Sequence, residues 1–216
     1  MLEIAKTIIG SSVYCVLFPL VLALYKRKFL SPALSVIFVY LILIVGVQAI
    51  AKFTAWLGMN NLPLLHVYTM AEFSLLCWFY QRAIPSLVSV RTMSLCILLF
   101  LGWALWNACC IQGWYQFNTN ARTPEGIAIL CFALLYYYAV MREMKILRLE
   151  DEPLFWINTG FMLYFSGGTL LFFFSNAILS FAYSLNMYLW ALHASFSVIL
   201  YLFLAIGIWK VPTKPT

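Results

Sequence analysis

Charged side chains are scarce in this chain of 216 residues, since Asp, Glu, Lys and Arg make up only 9% of it and 65% of the residues are hydrophobic. A soluble globular domain carries about 25% charged residues. A chain with so few charges cannot cover its apolar side chains in water, which excludes a soluble enzyme or a soluble binding module. We therefore expect residues 1–216 to form one all-α integral membrane domain.

Sequence motifs of common enzymes and metal sites are also absent. No GxxxxGK[ST], HExxH or GxSxG sequence occurs, so the chain lacks the usual signatures of ATPases, zinc proteases and serine hydrolases. The six cysteines include no CxxC pair and are expected to be reduced, buried and structural. The 13 basic residues, against 7 acidic ones, are expected in loops at the membrane surface, so nucleic acid is not a predicted partner.

Long apolar segments are what the chain has in abundance, and seven of them reach the roughly 20 residues that a membrane-spanning helix needs. Proline and capping residues mark several helix starts, at Ser31-Pro32, Thr123-Pro124-Glu125 and Glu152-Pro153. Pro19 lies inside the first segment and predicts a kink. The predicted spans are residues 4–25, 32–55, 62–83, 91–112, 124–142, 153–177 and 186–209.

Basic residues are distributed unequally between the two sides of this arrangement. Only Lys6, Lys52 and Arg122 fall on the side of the N-terminus, whereas ten fall on the other side. Because cytoplasmic loops are enriched in Lys and Arg, we predict that the N-terminus is outside and the C-terminus is cytoplasmic. The ten are Lys26, Arg27, Lys28, Arg82, Arg91, Arg142, Lys145, Arg148, Lys210 and Lys214.

An internal repeat is a further hypothesis, in which spans 1–3 and 5–7 are parallel copies around a middle span. His66 and His193 are the two histidines of the chain, and they fall at comparable places in spans 3 and 7. Parallel repeats of this kind occur in transporters. The alternative is chance similarity between apolar sequences.

Glu72 is the acid that the predicted spans place deepest in the membrane, near the middle of span 3. At 100° per residue, His66, Thr69 and Glu72 share one arc of the helix, and Tyr68 is one turn before Glu72. Ionisable groups inside a membrane are costly and usually functional. We therefore predict an outward-opening polar pocket that binds a small ligand or protons. Its predicted lining is Glu72, His66, His193, Thr69, Tyr68, Gln48, Asn107, Asn176, Trp190 and Ser197.

Each of these side chains also has a purely structural interpretation. The asparagines and Gln48 can serve as hydrogen-bond partners between helices, and each histidine can be a packing residue. Two histidines and one intramembrane acid could bind a metal, but they are few for a hydrolytic zinc site, since they would only just supply its three protein ligands. A bis-histidine haem is suggested only by the presence of two histidines. No cofactor is therefore predicted. Ser166 and His193 resemble the dyad of rhomboid proteases, but Tyr164 stands where that family has glycine, so an intramembrane hydrolase is the weakest alternative.

Three segments are similar to a group of small multi-span proteins of Bacteroidota: NNLPLLHVYTMAEFSLLCWFY, FWINTGFMLYFSGGTLLFFFSNAI and LWALHASFSVILYLFLAIGIW. The matching motifs are Tyr68-Thr69 before Glu72, the YFSG sequence of residues 164–167, and Trp190 with His193. The similarity covers spans 3, 6 and 7, about a third of the chain. It implies a multi-pass protein of a bacterial inner membrane that serves histidine-kinase signalling, and it implies no ligand.

A sensor or receptor-like protein is the function that this pattern favours. The chain has no soluble catalytic domain, and its short basic loops suit the docking of a cytoplasmic signalling partner. The lipid bilayer and an unidentified small ligand are the other predicted partners. A small-molecule or proton-coupled transporter is the alternative, and no enzymatic activity is predicted.

Overall fold

The computed structural model describes residues 2–143, 148–174 and 183–213, and these residues fold into helices without any β-strand. The α-helices are α1 (Leu2–Cys15), α2 (Leu17–Tyr25), α3 (Pro32–Trp56), α4 (Leu62–Ala83), α5 (Val90–Trp106), α6 (Thr119–Glu143), α7 (Pro153–Phe173) and α8 (Tyr183–Trp209). A 3₁₀ turn follows α2 at Arg27–Phe29, another precedes α7 at Leu149–Asp151, and α5 continues into a π-helical stretch at Asn107–Ile111.

Six helical segments of the described chain are long and apolar enough to cross a membrane, which confirms a multi-pass helical bundle. They are Leu2–Tyr25, Pro32–Trp56, Leu62–Ala83, Val90–Ile111, Thr119–Glu143 and Tyr183–Trp209. The predicted sixth span is present as α7 but is not among the six, because polar and small residues such as Asn158, Thr159 and Ser166 lower its hydropathy. α7 packs between α6 and α8, where such residues are sheltered by protein. The orientation and the internal repeat remain predictions.

The capping residues act as their sequence context predicts at two helix starts. Ser31 Oγ accepts a hydrogen bond from the Leu34 N–H at 3.4 Å, and Glu152 Oε1 accepts one from the Leu154 N–H at 3.4 Å. The kink at Pro19 stays a prediction, and the structure shows an interruption of the helix at Val16, between α1 and α2. Pro19 lies three residues further on and has no N–H to donate to the preceding turn.

The predicted start of the fifth span at Thr123-Pro124-Glu125 is wrong, because α6 begins at Thr119 and includes Pro124. A proline inside a helix leaves the carbonyl four residues earlier without its donor, here that of Asn120. The indole Nε1–H of Trp103 on α5 donates to this carbonyl at 3.1 Å. The earlier start adds a turn to the helix, and this turn carries Arg122 into the bundle.

Replacement of Trp103 by phenylalanine is therefore expected to lower the free energy of unfolding by about 1–2 kcal/mol, because the Asn120 carbonyl loses its donor. The measurement is a denaturation titration in detergent. Trp106→Phe is the matched control, because this exposed indole packs against Trp103 with ring centroids 5.5 Å apart. Equal losses of unfolding free energy in the two variants would show that Trp103 stabilises the fold by packing and not by its hydrogen bond to the Asn120 carbonyl.

Two basic residues that the orientation argument places in loops are buried, namely Arg122 and Lys26. Lys26 Nζ donates to the carbonyls of Trp209 and Val211 at 2.6 and 2.7 Å, which fastens the end of α8 to the end of α2. Burial lowers the pKa of this ammonium. Lys26 thus has a structural role beyond its contribution to the charge bias.

The expectation of buried cysteines holds for Cys77 alone among the six. Cys15 and Cys96 are partly buried, whereas Cys109, Cys110 and Cys131 are exposed at the surface of the bundle. All six are free thiols. An apolar environment in a membrane protein includes the lipid, so an apolar sequence context does not require burial inside the protein.

Candidate functional site

The carboxylate of Glu72 lies at the centre of the bundle and is completely buried. Its Oε1 atom accepts hydrogen bonds from the hydroxyls of Tyr40 on α3 and Tyr68 on α4, each at 2.8 Å. Its Oε2 atom accepts one from Nη1 of Arg122 on α6. Three donors on two oxygens are what an ionised carboxylate needs when no water reaches it.

Arg122 is shared between two carboxylates. The same Nη1 atom that donates to Glu72 also donates to Oε2 of Glu125, one turn along α6, at 2.7 Å. Nη2 donates to the Tyr164 hydroxyl on α7 at 3.4 Å. The side chain of Arg122 is 4% exposed and both carboxylates are 0% exposed, so this is a buried acid–arginine–acid cluster.

The two carboxylates of this cluster are held unequally. Both oxygens of Glu72 are hydrogen-bonded, whereas Oε1 of Glu125 is buried without a hydrogen-bond partner. An ionised oxygen without a donor in a protein interior is costly, but a proton placed on it removes most of that cost. Glu125 is therefore the carboxyl group of the cluster that is best suited to exist in its protonated form.

The covering loop, residues 112–118 between α5 and α6, lies against the first turns of α4. His66 Nε2 bonds to the Gln116 carbonyl at 3.0 Å, and the His66 ring packs against Trp114. Asn118 Nδ2 donates to Thr69 Oγ1 at 2.8 Å. Gly113 has a φ of +71°, which suits glycine at the turn that begins this loop. The loop thus covers the two α4 residues that precede Glu72 on its arc.

Aromatic rings surround the guanidinium on the side of α7 and α8. The Phe172 ring lies 4.9 Å from Arg122 Cζ and 5.0 Å from the His193 ring. Phe117 of the covering loop packs against both Phe172 and Trp190. His193 and Trp190 therefore lie one layer away from the cluster, separated from it by aromatic side chains.

Of the ten predicted site residues, Glu72 and Tyr68 meet directly in the cluster, and Thr69, His66, His193 and Trp190 form its surroundings. Gln48 is bonded to the Tyr201 hydroxyl at 3.5 Å, and Ser197 donates to the His193 backbone carbonyl at 3.2 Å. Asn107 is buried among Gln112 and Asn120 at the end of α5. Asn176 lies outside the described residues.

The predicted pocket around Glu72 is not open in this structure. Glu72 is 0% exposed, because Tyr40, Tyr68 and Arg122 occupy the volume around its carboxylate. Glu125, which the predicted lining leaves out, is equally buried and shares the counter-charge of Glu72. The site is a buried ion cluster, and protein side chains fill the space in which a ligand pocket was predicted.

Sequence reasoning missed Arg122, Glu125, Tyr40, Asn118 and Tyr164. The misplaced helix start assigned Arg122 to a loop and Glu125 to the first turn of the helix, after the capping hydroxyl of Thr123. The three-residue spacing of Arg122 and Glu125, typical of an ion pair on one helix face, was the available signal. Tyr40 and Tyr164 gave no comparable signal, because tyrosine is frequent throughout the chain.

Metal and hydrolase chemistry gain no support from the geometry. Within residues 2–143, 148–174 and 183–213, no group of three or more His, Cys, Asp or Glu side chains could hold a metal ion. Ser166 Oγ donates to the Leu163 carbonyl of its own helix at 3.0 Å, and Ser166 is exposed. This arrangement differs from a serine–histidine dyad, in which the hydroxyl faces the imidazole.

Comparison with known proteins adds no assignment to this geometry. No protein-family model, curated protein or solved structure matches the chain.

Proposed function

We propose that this protein is a membrane sensor whose signal is the binding of a proton at the Glu72–Arg122–Glu125 cluster. The observation that carries the proposal is the sharing of one buried guanidinium by two buried carboxylates. With both acids ionised the cluster has a net charge of −1, and one added proton makes it neutral. A buried group whose net charge depends on a single proton is a means of sensing pH or a proton gradient.

The cluster contacts four helices, so a change in its protonation would alter hydrogen bonds to all four of them. Tyr40, Glu72, Arg122 and Tyr164 contribute from α3, α4, α6 and α7, and each is linked to the next by a hydrogen bond. Loss of the charge on Glu125 weakens its ion pair with Arg122, so the guanidinium is drawn more strongly towards Glu72. A change in the packing of α6 against α4 and α7 is the expected consequence.

The covering loop offers the proton a route from one side of the membrane. Its contacts with α4 are few: the His66–Gln116 bond, the bonds of Asn118 to Thr69 and Leu65, and the packing of Trp114. In the predicted orientation this loop faces the outside of the cell, so the site would respond to external pH. The short basic loops at the opposite end suit a cytoplasmic signalling partner in a bacterial inner membrane, as the resemblance to the Bacteroidota group implies.

The experiment is a measurement of proton uptake by the purified protein in nanodiscs as the pH is lowered from about 8 to about 5, where perturbed carboxyl groups and histidine titrate. Tryptophan fluorescence is recorded in parallel, because Trp114 packs against His66 and Trp190 against His193. We expect the wild type to take up one proton more per chain than Glu125→Gln, with a fluorescence change that the variant lacks.

Glu150→Gln is the matched control, because it removes a carboxylate of the same kind from an exposed turn. This control should keep the fluorescence change of the wild type. Equal proton uptake and equal fluorescence changes in the wild type and in Glu125→Gln would contradict the proposal.

A proton-coupled transporter is the second candidate, and the occlusion of the site favours it. Alternating access requires a state in which the binding site is closed from both sides, and Glu72 and Glu125 are completely buried. Proteoliposomes distinguish the two functions. A sensor gives the fluorescence change without net proton or solute flux, whereas a transporter gives flux that Glu125→Gln abolishes.

A further inference from the structure

A groove runs between α4 and α5 along the side of the bundle, over about two turns of each helix. Its volume is about 580 Å³, within the roughly 300–1,000 Å³ of known ligand clefts. Leu75 and Trp78 on α4, with Met93 and Ile97 on α5, form its apolar walls. Trp78 is 48% exposed. Because both helices are long and apolar enough to span a membrane, an apolar groove on their outer side faces the lipid.

Arg82 is the charged residue among the described residues that line this groove. Its guanidinium carbon lies 4.2 Å from the centre of the Trp78 ring, one turn earlier on α4. The attraction between a guanidinium and the face of an indole ring stabilises this position. Stacking therefore holds the positive charge against the wall of the groove, whereas a free arginine side chain would extend towards water.

Arg82 takes part in none of the ion pairs within residues 2–143, 148–174 and 183–213. Its Nη1 atom is buried and has no hydrogen-bond partner there. The residue as a whole is partly exposed, so the guanidinium is still accessible from the groove. Buried polar groups are nearly always paired, and each exception calls for a physical reason. An anion in the groove would supply the counter-charge that the described side chains do not.

The charged end of the groove lies at the level of the lipid headgroups. Arg82 is in the last turn of α4, and Val90, on the opposite wall, is the first residue of α5. Since α4 and α5 are membrane spans, their ends lie where the hydrocarbon of the bilayer meets the headgroups. The apolar walls continue from there towards the middle of the membrane. The groove thus has the same order of polarity as a phospholipid, with charge at the surface and apolar groups below.

We propose that the groove between α4 and α5 binds an anionic phospholipid, with the phosphate at Arg82 and an acyl chain between Trp78 and Ile97. Basic pockets between membrane-spanning helices are known sites for anionic headgroups. A zwitterionic lipid brings an ammonium group together with its phosphate, and a free phosphate has no chain for the apolar walls, so both fit the groove less well.

This lipid site is separate from the ion cluster and does not depend on the proposed function. Glu72 is ten residues before Arg82 on α4, and it is completely buried, whereas Arg82 is partly exposed. None of the residues of the Glu72–Arg122–Glu125 cluster lines the groove. Each proposal can therefore fail without the other.

The test is native mass spectrometry of the purified protein with equal amounts of phosphatidylglycerol and phosphatidylcholine that have the same acyl chains. We expect the wild type to retain phosphatidylglycerol about fivefold more than phosphatidylcholine, the advantage typical of one basic side chain at an anionic membrane surface. Arg82→Gln should lose this preference, whereas Arg82→Lys keeps the positive charge and should keep most of it. Circular dichroism of each variant checks that it is folded.

Ser94→Phe tests the apolar part of the groove, because Ser94 is an exposed residue of its lining and a phenyl ring would fill the space. This variant keeps Arg82 and should retain less of both lipids. Arg27→Gln is the matched control, since Arg27 is an exposed arginine just after α2, two spans before the end of α4 and hence at the same end of the bundle. It should keep the preference of the wild type.

Three results would overturn the lipid site. Equal retention of the two lipids by the wild type would show that the groove does not select an anion. An unchanged preference in Arg82→Gln, or an equal loss in Arg27→Gln, would assign the selectivity to the overall basic charge. Undiminished retention in Ser94→Phe would show that the headgroup binds without the groove.

Discussion

Replacement of Arg122 by glutamine is expected to lower the free energy of unfolding by about 3–5 kcal/mol, because breaking a buried ion pair leaves an uncompensated buried charge. The effect is large here because one guanidinium serves two carboxylates, each 0% exposed. Glutamine retains hydrogen-bond donors but brings no positive charge. The measurement is a denaturation titration in detergent, with the helical signal in circular dichroism as the readout.

Arg142→Gln is the matched control, because Arg142 is an exposed arginine near the end of the same helix. It should unfold within about 0.5 kcal/mol of the wild type, as surface substitutions usually do. The double variant Arg122→Gln, Glu125→Gln should recover part of the loss, since one of the two orphaned charges is removed with it. Equal stability of Arg122→Gln and Arg142→Gln would mean that the buried cluster is not charged.

Replacement of Gly207 by alanine is expected to lower the free energy of unfolding by about 1–3 kcal/mol, the usual cost of overpacking. Gly207 lies on α8 where that helix crosses the first turn of α7. A Cβ atom there would be 2.8 Å from the backbone carbonyl oxygen of Pro153 and 2.7 Å from Ile157 Cγ1. A backbone oxygen cannot move aside without shifting the helix, so α7 and α8 must separate.

Gly46→Ala makes the same change at a place where a Cβ atom would meet nothing within 4 Å. This variant should be neutral or more stable by up to about 1 kcal/mol, because alanine favours the helix more than glycine does. Thermal melting of the two variants side by side separates packing from helix propensity. A loss of stability in Gly46→Ala as large as that in Gly207→Ala would contradict the close approach of α7 and α8.

Most helix limits could be predicted from the sequence because their signals are local. The cap at Ser31, the proline at position 153 and the interruption before Pro19 depend only on neighbouring residues. The start of α6 could not be predicted from local sequence signals. Proline is acceptable in a first helical turn and also inside a helix whose freed carbonyl finds another donor. The donor here is Trp103, on another helix and 17 residues away from Asn120.

Only the part of the site on α4 could be predicted from the sequence. An acid in an apolar segment is conspicuous, so Glu72 and its helical neighbours Tyr68 and Thr69 could be selected. Its counter-charge Arg122 is 50 positions away, and the pairing depends on the packing of α4 against α6. Hydropathy does not determine which helices are neighbours, so it also could not show that the space around Glu72 is filled by side chains.

The proposed sensor requires that Glu72 has a structural role, as the acceptor for Tyr40, Tyr68 and Arg122, and that Glu125 takes up the proton. The most direct test is the melting temperature in detergent from about pH 8 to about pH 5 for the wild type, Glu72→Gln and Glu125→Gln, the range in which such groups titrate. We predict that Glu72→Gln melts lower at every pH, since glutamine offers Tyr40, Tyr68 and Arg122 one acceptor oxygen instead of two and no negative charge. We predict that Glu125→Gln stays folded and loses most of the pH dependence of the wild type. If the two variants behave alike, or if Glu125→Gln keeps the full pH dependence, the account is contradicted.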